Sequence, residues 1–285
     1  MSTEHFKKAL ELAKKNRGKN QPAQTLIRPR TKSWNRNNHR QTVDQTTDDI
    51  VNIQYQFTKI YETQPEILRE NRIIAGFHDD PRSTPFRILR TQIHQALKEN
   101  HWNTLAITAP HSRAGKTFVS ANLAISMSLM ANQTVLLVDL DLRNPSIHKY
   151  FGLDTEYGIY DYLTNDVSLQ QIMINPGLER LVLLPGSTPT RTSSELLATR
   201  KAQELLDEIR TRYPTRIIIY DLPPLIGMDD AMVVLPKIES SLLVVEANRT
   251  TADDVTKSLK ILEDSNLLGT VFNKADDAEI VQYGY

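Results

Sequence analysis

Residues 104–128 read TLAITAPHSRAGKTFVSANLAISMS, and they are the most informative part of this 285-residue sequence. Residues 104–108 form an apolar, strand-like run, and an apolar helical pattern begins at residue 116. Between them lies a loop that ends in Gly-Lys-Thr at 115–117. A strand, a loop and a helix in this order are the setting in which the P-loop pattern G-x-x-x-x-G-K-[ST] binds phosphates. Pro110 stands where the first glycine of that pattern is expected.

The loop and the first turn of the helix predict a phosphate-binding site. Backbone N–H groups at the start of the helix would surround the β-phosphate, aided by the helix dipole. Lys116 would bridge the β- and γ-phosphates, and the Thr117 hydroxyl would ligate Mg²⁺. The residues expected to contact a nucleotide here are Ser112, Arg113, Ala114, Gly115, Lys116, Thr117 and Phe118.

Two further apolar runs end in aspartate. Residues 134–138 lead into Asp139 and Asp141, whose i, i+2 spacing points both side chains the same way in an extended segment. Residues 216–220 lead into Asp221, which has the form of a Walker B carboxylate that steers Mg²⁺. Ligands of parallel sheets bind at the carboxyl ends of the strands, so the three acids are expected beside the loop. The metal ligands expected are Thr117, Asp141 and Asp221.

The chain from residue 103 onward alternates apolar runs with helical stretches, which predicts an α/β fold. Runs of four to six β-forming residues between helices indicate a mostly parallel, twisted sheet covered by helices on both faces. A helix is expected before it, at about 85–99. The other expected elements are strands at 181–184, 241–245 and 268–272, and helices at about 193–211 and 252–264.

The zero net charge of the chain conceals an asymmetry. Residues 1–42 carry eleven Lys and Arg against two Glu, a net charge of +9, so the remainder carries −9. A basic arm on an acidic body predicts docking to anionic lipid, nucleic acid or the acidic face of another copy. A solvated, disordered tail is the alternative. Within the arm, residues 4–15 have the spacing of a short amphipathic helix that would fold only against a partner.

Composition excludes several other classes of protein. The chain has no cysteine, which excludes disulfides, thiol catalysis and cysteine-ligated zinc. No apolar run approaches the roughly 20 residues that a membrane-spanning helix needs, so we expect a cytoplasmic protein. Three parts are expected: the basic arm with its helix and linker over 1–42, a helical extension over 43–100, and the P-loop domain over 101–285.

The ordered motifs resemble those of the bacterial tyrosine kinases of capsule and exopolysaccharide synthesis. The stand-alone cytoplasmic kinases, which pair with a separate chain-length-determinant membrane protein, are especially similar. The resemblance covers about residues 70–285. Its segments are FRILRTQI (86–93), AGKTFVSANLA (114–124), VLLVDLDLRNPSIHKYFG (135–152), LPGSTPTRTSSELLA (184–198), IIIYDLPPL (217–225) and SLLVVEANRTT (241–251).

This resemblance implies a P-loop NTPase fold of the MinD/ParA-like branch and transfer of phosphate from ATP to tyrosine, with ATP and Mg²⁺ as cofactors. Lys116 would act in catalysis, and Asp139 and Asp141 would divide the base and metal duties in an order that stays open. Asn273 would contact the adenine. The tyrosines expected to accept phosphate, from a neighbouring copy, are Tyr283 and Tyr285.

The resemblance also implies partners and a location. The expected partners are a membrane chain-length-determinant (Wzz-like) adaptor and further copies of the chain in a homo-oligomer. Residues 1–42 are expected to assist at the anionic inner face of the plasma membrane, where the protein would be peripheral, and no nucleic-acid partner is expected.

The sequence departs from the family pattern at three places. Arg113 replaces a glycine of the loop and adds a charge that either clamps the phosphates or points to solvent. The helix motif E-x-x-R-x-x-R, used in self-association, lacks its Glu at Thr84, although Arg87 and Arg90 remain. The tail carries two tyrosines in place of a cluster.

Three rival functions remain open at this stage. The N-K-x-D sequence at 273–276 is the form that recognises guanine, which would make the chain a GTPase. A switch ATPase of the MinD/ParA type would dimerise on a membrane or on DNA, but His111 stands in place of its signature lysine. A non-catalytic nucleotide-binding module that regulates a polysaccharide-exporting partner is the third.

Overall fold

The computed structural model describes residues 59–212 and 215–275. The expected amphipathic helix at 4–15, the basic arm and linker over 1–42, and the tyrosines Tyr283 and Tyr285 lie outside the described residues. All described residues belong to one compact unit.

Eight strands form a single sheet within the described residues. They are β1 (Lys59–Ile60), β2 (Thr104–Thr108), β3 (Val135–Asp139), β4 (Ile174–Asn175), β5 (Leu181–Leu184), β6 (Ile217–Asp221), β7 (Ser240–Glu246) and β8 (Asn266–Asn273). Their order is β1-β4-β5-β3-β6-β2-β7-β8, and every neighbouring pair is parallel except β4 with β5. The predicted mostly parallel sheet is confirmed.

Ten α-helices accompany the strands in the described part of the chain. They are α1 (Pro65–Glu70), α2 (Thr84–Asn100), α3 (Lys116–Ser128), α4 (Ile147–Tyr150), α5 (Ile159–Thr164), α6 (Leu169–Ile172), α7 (Ser193–Leu197), α8 (Arg200–Arg212), α9 (Asp230–Val234) and α10 (Ala252–Ile261). Two short 3₁₀ helices cover Pro81–Ser83 and Leu235–Lys237.

Side chains alternate between two apolar cores, one on each face of the sheet. In β6, Ile217 and Ile219 belong to the first core, whereas Ile218 and Tyr220 belong to the second. The first core is covered by α1 to α4, and the second by α5 to α10. Because both faces are covered, the strands are continuous apolar runs, and the expected helices on both faces are confirmed.

The segment before β2 is an integral part of this unit. Phe86, Ile93 and Leu97 of α2 share the first core with buried side chains of α3. The Arg90 guanidinium donates to the Ser126 carbonyl of α3 at 3.1 Å. These residues of α2 therefore complete the same apolar layer as the P-loop helix.

The single helix expected at 193–211 is wrong. Two helices, α7 and α8, cover this stretch and are separated at Ala198 and Thr199. The Thr199 hydroxyl accepts a hydrogen bond from the Ala202 N–H at 3.3 Å, as an N-cap does, and so begins α8. A hydrogen bond between a threonine hydroxyl and a nearby backbone N–H competes with the hydrogen bonds within a helix, so threonine favours helix starts and turns.

Within the described ranges, none of the helices combines the length and the apolar content that crossing a lipid bilayer requires.

We predict that Ile107→Ala lowers the free energy of unfolding by about 3 kcal/mol, because it empties a volume in a fully buried part of the central strand. Urea denaturation of the whole chain measures this loss. The matched control is Ile88→Ala, whose side chain is 56% exposed on α2 and should change stability by less than about 0.5 kcal/mol. Equal losses in the two variants would contradict the described position of β2 in the core.

Candidate active site

The carboxyl ends of β2, β3 and β6 meet at one edge of the sheet. β6 pairs with β3 on one side and with β2 on the other, both in parallel. Asp221 stands in register with Asp139 of β3 and with Ile107 of β2. The loop that follows β2, residues 109–115, therefore begins beside both aspartates.

This loop passes into α3 through a left-handed glycine. Gly115 has a φ of 98° and caps the helix that starts at Lys116. The Asn273 amide donates to the Ala114 carbonyl at 2.8 Å. A Cβ at Gly115 would overlap this amide, so the site requires glycine for its backbone angle and for its close packing.

Arg113 also has a left-handed backbone, with a φ of 65°, at the position where the family pattern has glycine. Its side chain is exposed at the wall of the cavity described below. The Lys274 ammonium donates to the Arg113 carbonyl at 2.8 Å and pairs with Glu246 at 2.9 Å. Asn273 at the end of β8 and Lys274 after it thus bind two successive carbonyls of the loop, those of Ala114 and Arg113.

Asp221 is held by two hydroxyl groups of α3. Thr117 Oγ1 donates to Asp221 Oδ2 at 2.5 Å, and Ser120 Oγ donates to Asp221 Oδ1 at 3.0 Å. Lys116, nearly fully buried, lies with its Nζ 3.6 Å from Asp141 Oδ2. The structure therefore brings together Lys116, Thr117, Asp141 and Asp221, as expected from the sequence.

Asp139 lies deeper and organises the loop that follows β3. Its Oδ2 accepts the N–H groups of Ser146 and Ile147 at 2.8 and 3.0 Å. Its Oδ1 is buried and has no hydrogen-bond partner among the described residues. Ser146 in turn lies 3.2 Å from Thr117, hydroxyl to hydroxyl, so Asp139 aligns this loop with α3.

Burial makes this cluster of acids electrostatically costly. It raises the pKa of Asp221 to about 6, against the lowering effects of Lys116 and Thr117. Burial, reinforced by the charge of Asp221, holds the pKa of Asp139 well above its ordinary value. Burial also raises the pKa of Asp141, although Lys116 opposes the shift. Burial and nearby like charges therefore disfavour the ionised forms of these acids, and a bound cation would favour them.

A fourth acid, Asp230 of α9, holds the arginine that follows Asp141 by two residues. Arg143 Nε donates to both carboxylate oxygens of Asp230, at 2.9 and 3.1 Å. The Ser193 hydroxyl of α7 donates to the same fully buried carboxylate. This network joins the two blocks D-x-D-x-R and S-S-E-L-L, which lie far apart in the sequence.

A cavity of about 740 Å³ opens at this edge of the sheet. Among the residues that line it are Ser112, Arg113, Gly115, Lys116, Thr117, Phe118, Asp141 and Asn273. Of the other residues expected to contact a nucleotide, Ala114 is buried and offers its carbonyl to Asn273. Asp139 and Asp221 are fully buried beneath the cavity.

The oxygen donors suit Mg²⁺. Hydroxyl and carboxylate oxygens are its preferred ligands, and it is usually bound through one or two carboxylates together with substrate phosphates. In the described residues no group of three His, Cys, Asp or Glu side chains is arranged to hold a metal ion. A site made of one hydroxyl, adjacent carboxylates and the phosphates of a ligand fits this arrangement, including the unpartnered Asp139 oxygen.

Known proteins are similar to this chain in sequence. The AAA domain family matches residues 103–266. EpsB of Ralstonia nicotianae, named as a tyrosine-protein kinase, is 34% identical over 212 residues, which are 73% of this chain and 27% of EpsB. CapB of Staphylococcus aureus, also named as a tyrosine-protein kinase, is 32% identical over 203 residues, which are 69% of this chain and 87% of CapB.

The chain belongs to the bacterial tyrosine-protein kinases. It spans about a quarter, 27%, of the length of the EpsB relative. With its P-loop and this membership, the tyrosine-kinase chain is a nucleotide-binding protein.

Solved structures agree with the kinase family. The kinase domain of Escherichia coli tyrosine kinase Etk is 32% identical, with a TM-score of 0.61 over 70% of this chain and 79% of that domain. The chimerical protein CapA2B2 is 27% identical, with a TM-score of 0.65 over 80% of this chain and 99% of the chimera. MinD of Pyrococcus horikoshii, at 24% identity and a TM-score of 0.54, shares the fold.

Several residues in and around this cavity are not predicted from the sequence. Asn122 is one, although an asparagine inside an otherwise apolar helix is a visible signal of a buried polar contact. Ser120 and Ser146 belong to quoted motifs but were given no role. Asn71 and Arg72, which also line the cavity, carry no sequence signal at all, because only the tertiary fold brings them there.

We predict that Asp230→Ala lowers the free energy of unfolding by about 2–3 kcal/mol, because Arg143 and Ser193 lose a charged acceptor inside the protein. Chemical denaturation followed by circular dichroism measures the loss. Asp229→Ala is the matched control, since Asp229 is exposed and lies 3.8 Å from the same guanidinium. Its loss should stay below about 1 kcal/mol, and a comparable loss would contradict the dominant role of Asp230.

Proposed function

We propose that this protein transfers the γ-phosphoryl group of Mg-ATP to tyrosine hydroxyls and regulates the synthesis and export of an exopolysaccharide or capsule. One observation carries the proposal. In this chain of the tyrosine-kinase family, the P-loop residue Thr117 donates a hydrogen bond to the Walker B carboxylate of Asp221. Lys116 pairs with a second carboxylate, that of Asp141, and both of these residues line the same cavity.

Phosphate binding follows from the start of α3. The first N–H groups of a helix have no partner within the helix, so they point toward an anion placed at its N-terminus. Lys116 is nearly fully buried in the cavity wall, where its charge is weakly screened by water. Its pairing with Asp141 at 3.6 Å is loose enough to be exchanged for contacts with β- and γ-phosphate oxygens.

Thr117 and Asp221 would hold Mg²⁺, and Asp141, which the sequence pattern also predicts as a metal ligand, is proposed instead to accept a proton. When bound, the ion would neutralise the charge that develops on the phosphates during transfer. Its positive charge would also favour the ionised forms of Asp139, Asp141 and Asp221, which burial disfavours. Thr117 is suited to this role because its hydroxyl already lies against Asp221 at the mouth of the P-loop.

The two aspartates of β3 and its loop are proposed to divide their work by depth. Asp141 lines the cavity and can reach an incoming tyrosine hydroxyl, which makes it the candidate to accept the proton. Asp139 is fully buried and holds the N–H groups of Ser146 and Ile147, so it acts as a positioning residue. The hydroxyl of the acceptor tyrosine, still carrying its proton, would thus meet Asp141, the carboxylate nearest to solvent.

The adenine is proposed to lie beside Asn273, at the end of β8. Asn273 lines the cavity, packs on Gly115 and is fixed by its bond to Ala114. The guanine-reading alternative also uses Asp276, which lies outside the described residues. Membership of the tyrosine-kinase family supports ATP in place of GTP, and a competition between the two nucleotides tests this choice.

A switch ATPase of the MinD/ParA type is supported by the shared fold alone. His111, in the place of the signature lysine of that class, lies with its Nε2 3.1 Å from Asp254 Oδ1 of α10. The described structure gives no observation that favours a switch over a kinase, and phosphotyrosine formation separates the two.

We predict that Lys116→Met abolishes labelling of the tail by γ-labelled ATP while the protein stays folded. Losing one charged contact to the transition state typically costs about 10²–10³ in rate. The measurement is mass spectrometry of the peptide that carries Tyr283 and Tyr285. Asp141→Asn should lower the same labelling, and its thermal unfolding curve should stay close to that of the unaltered protein. Undiminished labelling of Lys116→Met would disprove the site assignment.

Mixing two variants tells whether a neighbouring copy provides the active site. The double variant Tyr283→Phe, Tyr285→Phe keeps the cavity but has no acceptor, and Lys116→Met keeps the acceptors but lacks the essential lysine. Label on the Lys116→Met chain in the mixture demonstrates transfer between copies. If both variants are folded and bind each other, but the Lys116→Met chain carries no label, that part of the proposal is contradicted.

The proposed partners are a membrane chain-length-determinant (Wzz-like) adaptor, further copies of the chain and the anionic inner face of the plasma membrane. Likeness to the chimerical protein CapA2B2 supports an adaptor of the CapA type. The membrane contact is proposed for residues 1–42, whose net charge is +9.

We predict that deleting residues 1–42 reduces co-sedimentation with anionic vesicles, because each Lys or Arg at such a surface contributes about 1 kcal/mol. The assay compares both proteins on vesicles with and without phosphatidylserine, at low and high salt. Equal sedimentation of the two proteins at low salt would rule out the basic arm as a membrane contact.

A further inference from the structure

The turn after α1 contributes an arginine to the phosphate cavity. Arg72 is exposed at the cavity wall that also includes Lys116 and Thr117. Within the described ranges Arg72 forms no salt bridge, whereas Lys116 pairs with Asp141 and Arg143 with Asp230. Its guanidinium charge is therefore available to a ligand.

The backbone of Arg72 is in an uncommon conformation. Its φ is 59°, in the left-handed region that residues other than glycine rarely adopt. Such a conformation persists only where the surrounding structure enforces it, and it is frequent at ligand sites. The contacts around Arg72 show what enforces it.

Asn122, fully buried in α3, holds the segment that carries Arg72. Its Oδ1 accepts the N–H groups of Ile74 and Ala75 at 2.8 and 3.0 Å. Its Nδ2 donates to the carbonyls of Arg72 and Phe118 at 3.2 and 2.9 Å. A single side chain of the P-loop helix thus fixes the backbone on both sides of Ile73.

Asn71 fixes the same turn to α4. Its Nδ2 donates to the carbonyls of Lys149 and Tyr150, both at 3.1 Å. This helix follows the loop that Asp139 organises and that contacts Thr117 through Ser146. Arg72 is therefore placed on the side of the cavity where the metal ligands lie, and Asn273 lies beyond β2 on the other side.

We propose that Arg72 binds the terminal phosphate of the nucleotide and is a further binding residue of this site. A guanidinium matches phosphate oxygens with two parallel hydrogen bonds. The proposed adenine position at Asn273 leaves the opposite end of the nucleotide, the γ-phosphate, on the side of Arg72. The inference rests on the proposed function for the orientation of ATP, and it adds a cation from outside the P-loop core.

The test compares the affinities of the whole protein for ADP and for a non-hydrolysable ATP analogue, both with Mg²⁺, by calorimetry. Arg72→Gly accommodates the left-handed backbone and removes the whole side chain with its guanidinium charge, and Arg72→Lys, which keeps a positive charge, separates loss of charge from loss of the side chain. We expect the affinity for the ATP analogue to fall by at least about tenfold, with that for ADP nearly unchanged. Arg72→Lys should recover part of the loss.

The matched control is Arg180→Gly. Arg180 is also left-handed, with a φ of 65°, and its guanidinium donates to the Ser128 carbonyl far along α3 from the P-loop. This variant should bind both nucleotides as the unaltered protein does. Thermal unfolding of each variant shows that it is folded.

Two results would overturn the proposal. They are unchanged affinity of Arg72→Gly for both nucleotides and an equal loss for both. In the first case, a raised KM for the acceptor peptide would assign Arg72 to the tyrosine substrate. Because binding is measured without phosphotransfer, an inactive protein that still shows the selective loss would refute the kinase function and leave the role of Arg72 intact.

Discussion

The burial of negative charge at the ends of two adjacent strands is the constraint on which the rest of the structure depends. Asp139 and Asp221 are neighbours in register, both fully buried, and Asp141 follows within the same edge. Such a cluster is unfavourable by itself, which is why burial raises the pKa of each of these acids. The surrounding hydrogen-bond donors offset part of this cost, and the Mg²⁺ proposed for the site would offset more of it.

Two elements beside this cluster donate hydrogen bonds to it. The helix α3 offers the hydroxyls of Thr117 and Ser120, and the loop after β3 offers two N–H groups to Asp139. Arg143 is drawn to one side by Asp230 and does not neutralise the cluster. The outcome is a cavity with positive walls over a negative floor, a distribution that suits a nucleotide with its metal ion.

The chain before β2 has a larger part in this arrangement than an extension would. Its helix α2 completes the apolar layer over α3, and the turn after α1 is fixed by Asn122 and Asn71. Substitutions in this segment should therefore change the affinity for nucleotide as well as the stability of the domain. The P-loop helix α3 contacts Asp221 of the sheet through Thr117 and Ser120, and it contacts this turn through Asn122. Both sets of contacts position the site.

Local sequence was sufficient for six of the eight described strands, the strand–loop–helix order of the P-loop and the positions of the three aspartates, because each depends on periodicity or on residues a few positions apart. The two-residue strands β1 and β4 are too short to show any period. The break at Thr199 was missed because capping competes with helix propensity. Tertiary structure alone decided which acid faces the cavity, how Asp230 and Ser193 hold Arg143, and that Arg72 lines the phosphate site. These depend on contacts between residues about 40 to 90 positions apart, and no local pattern records them.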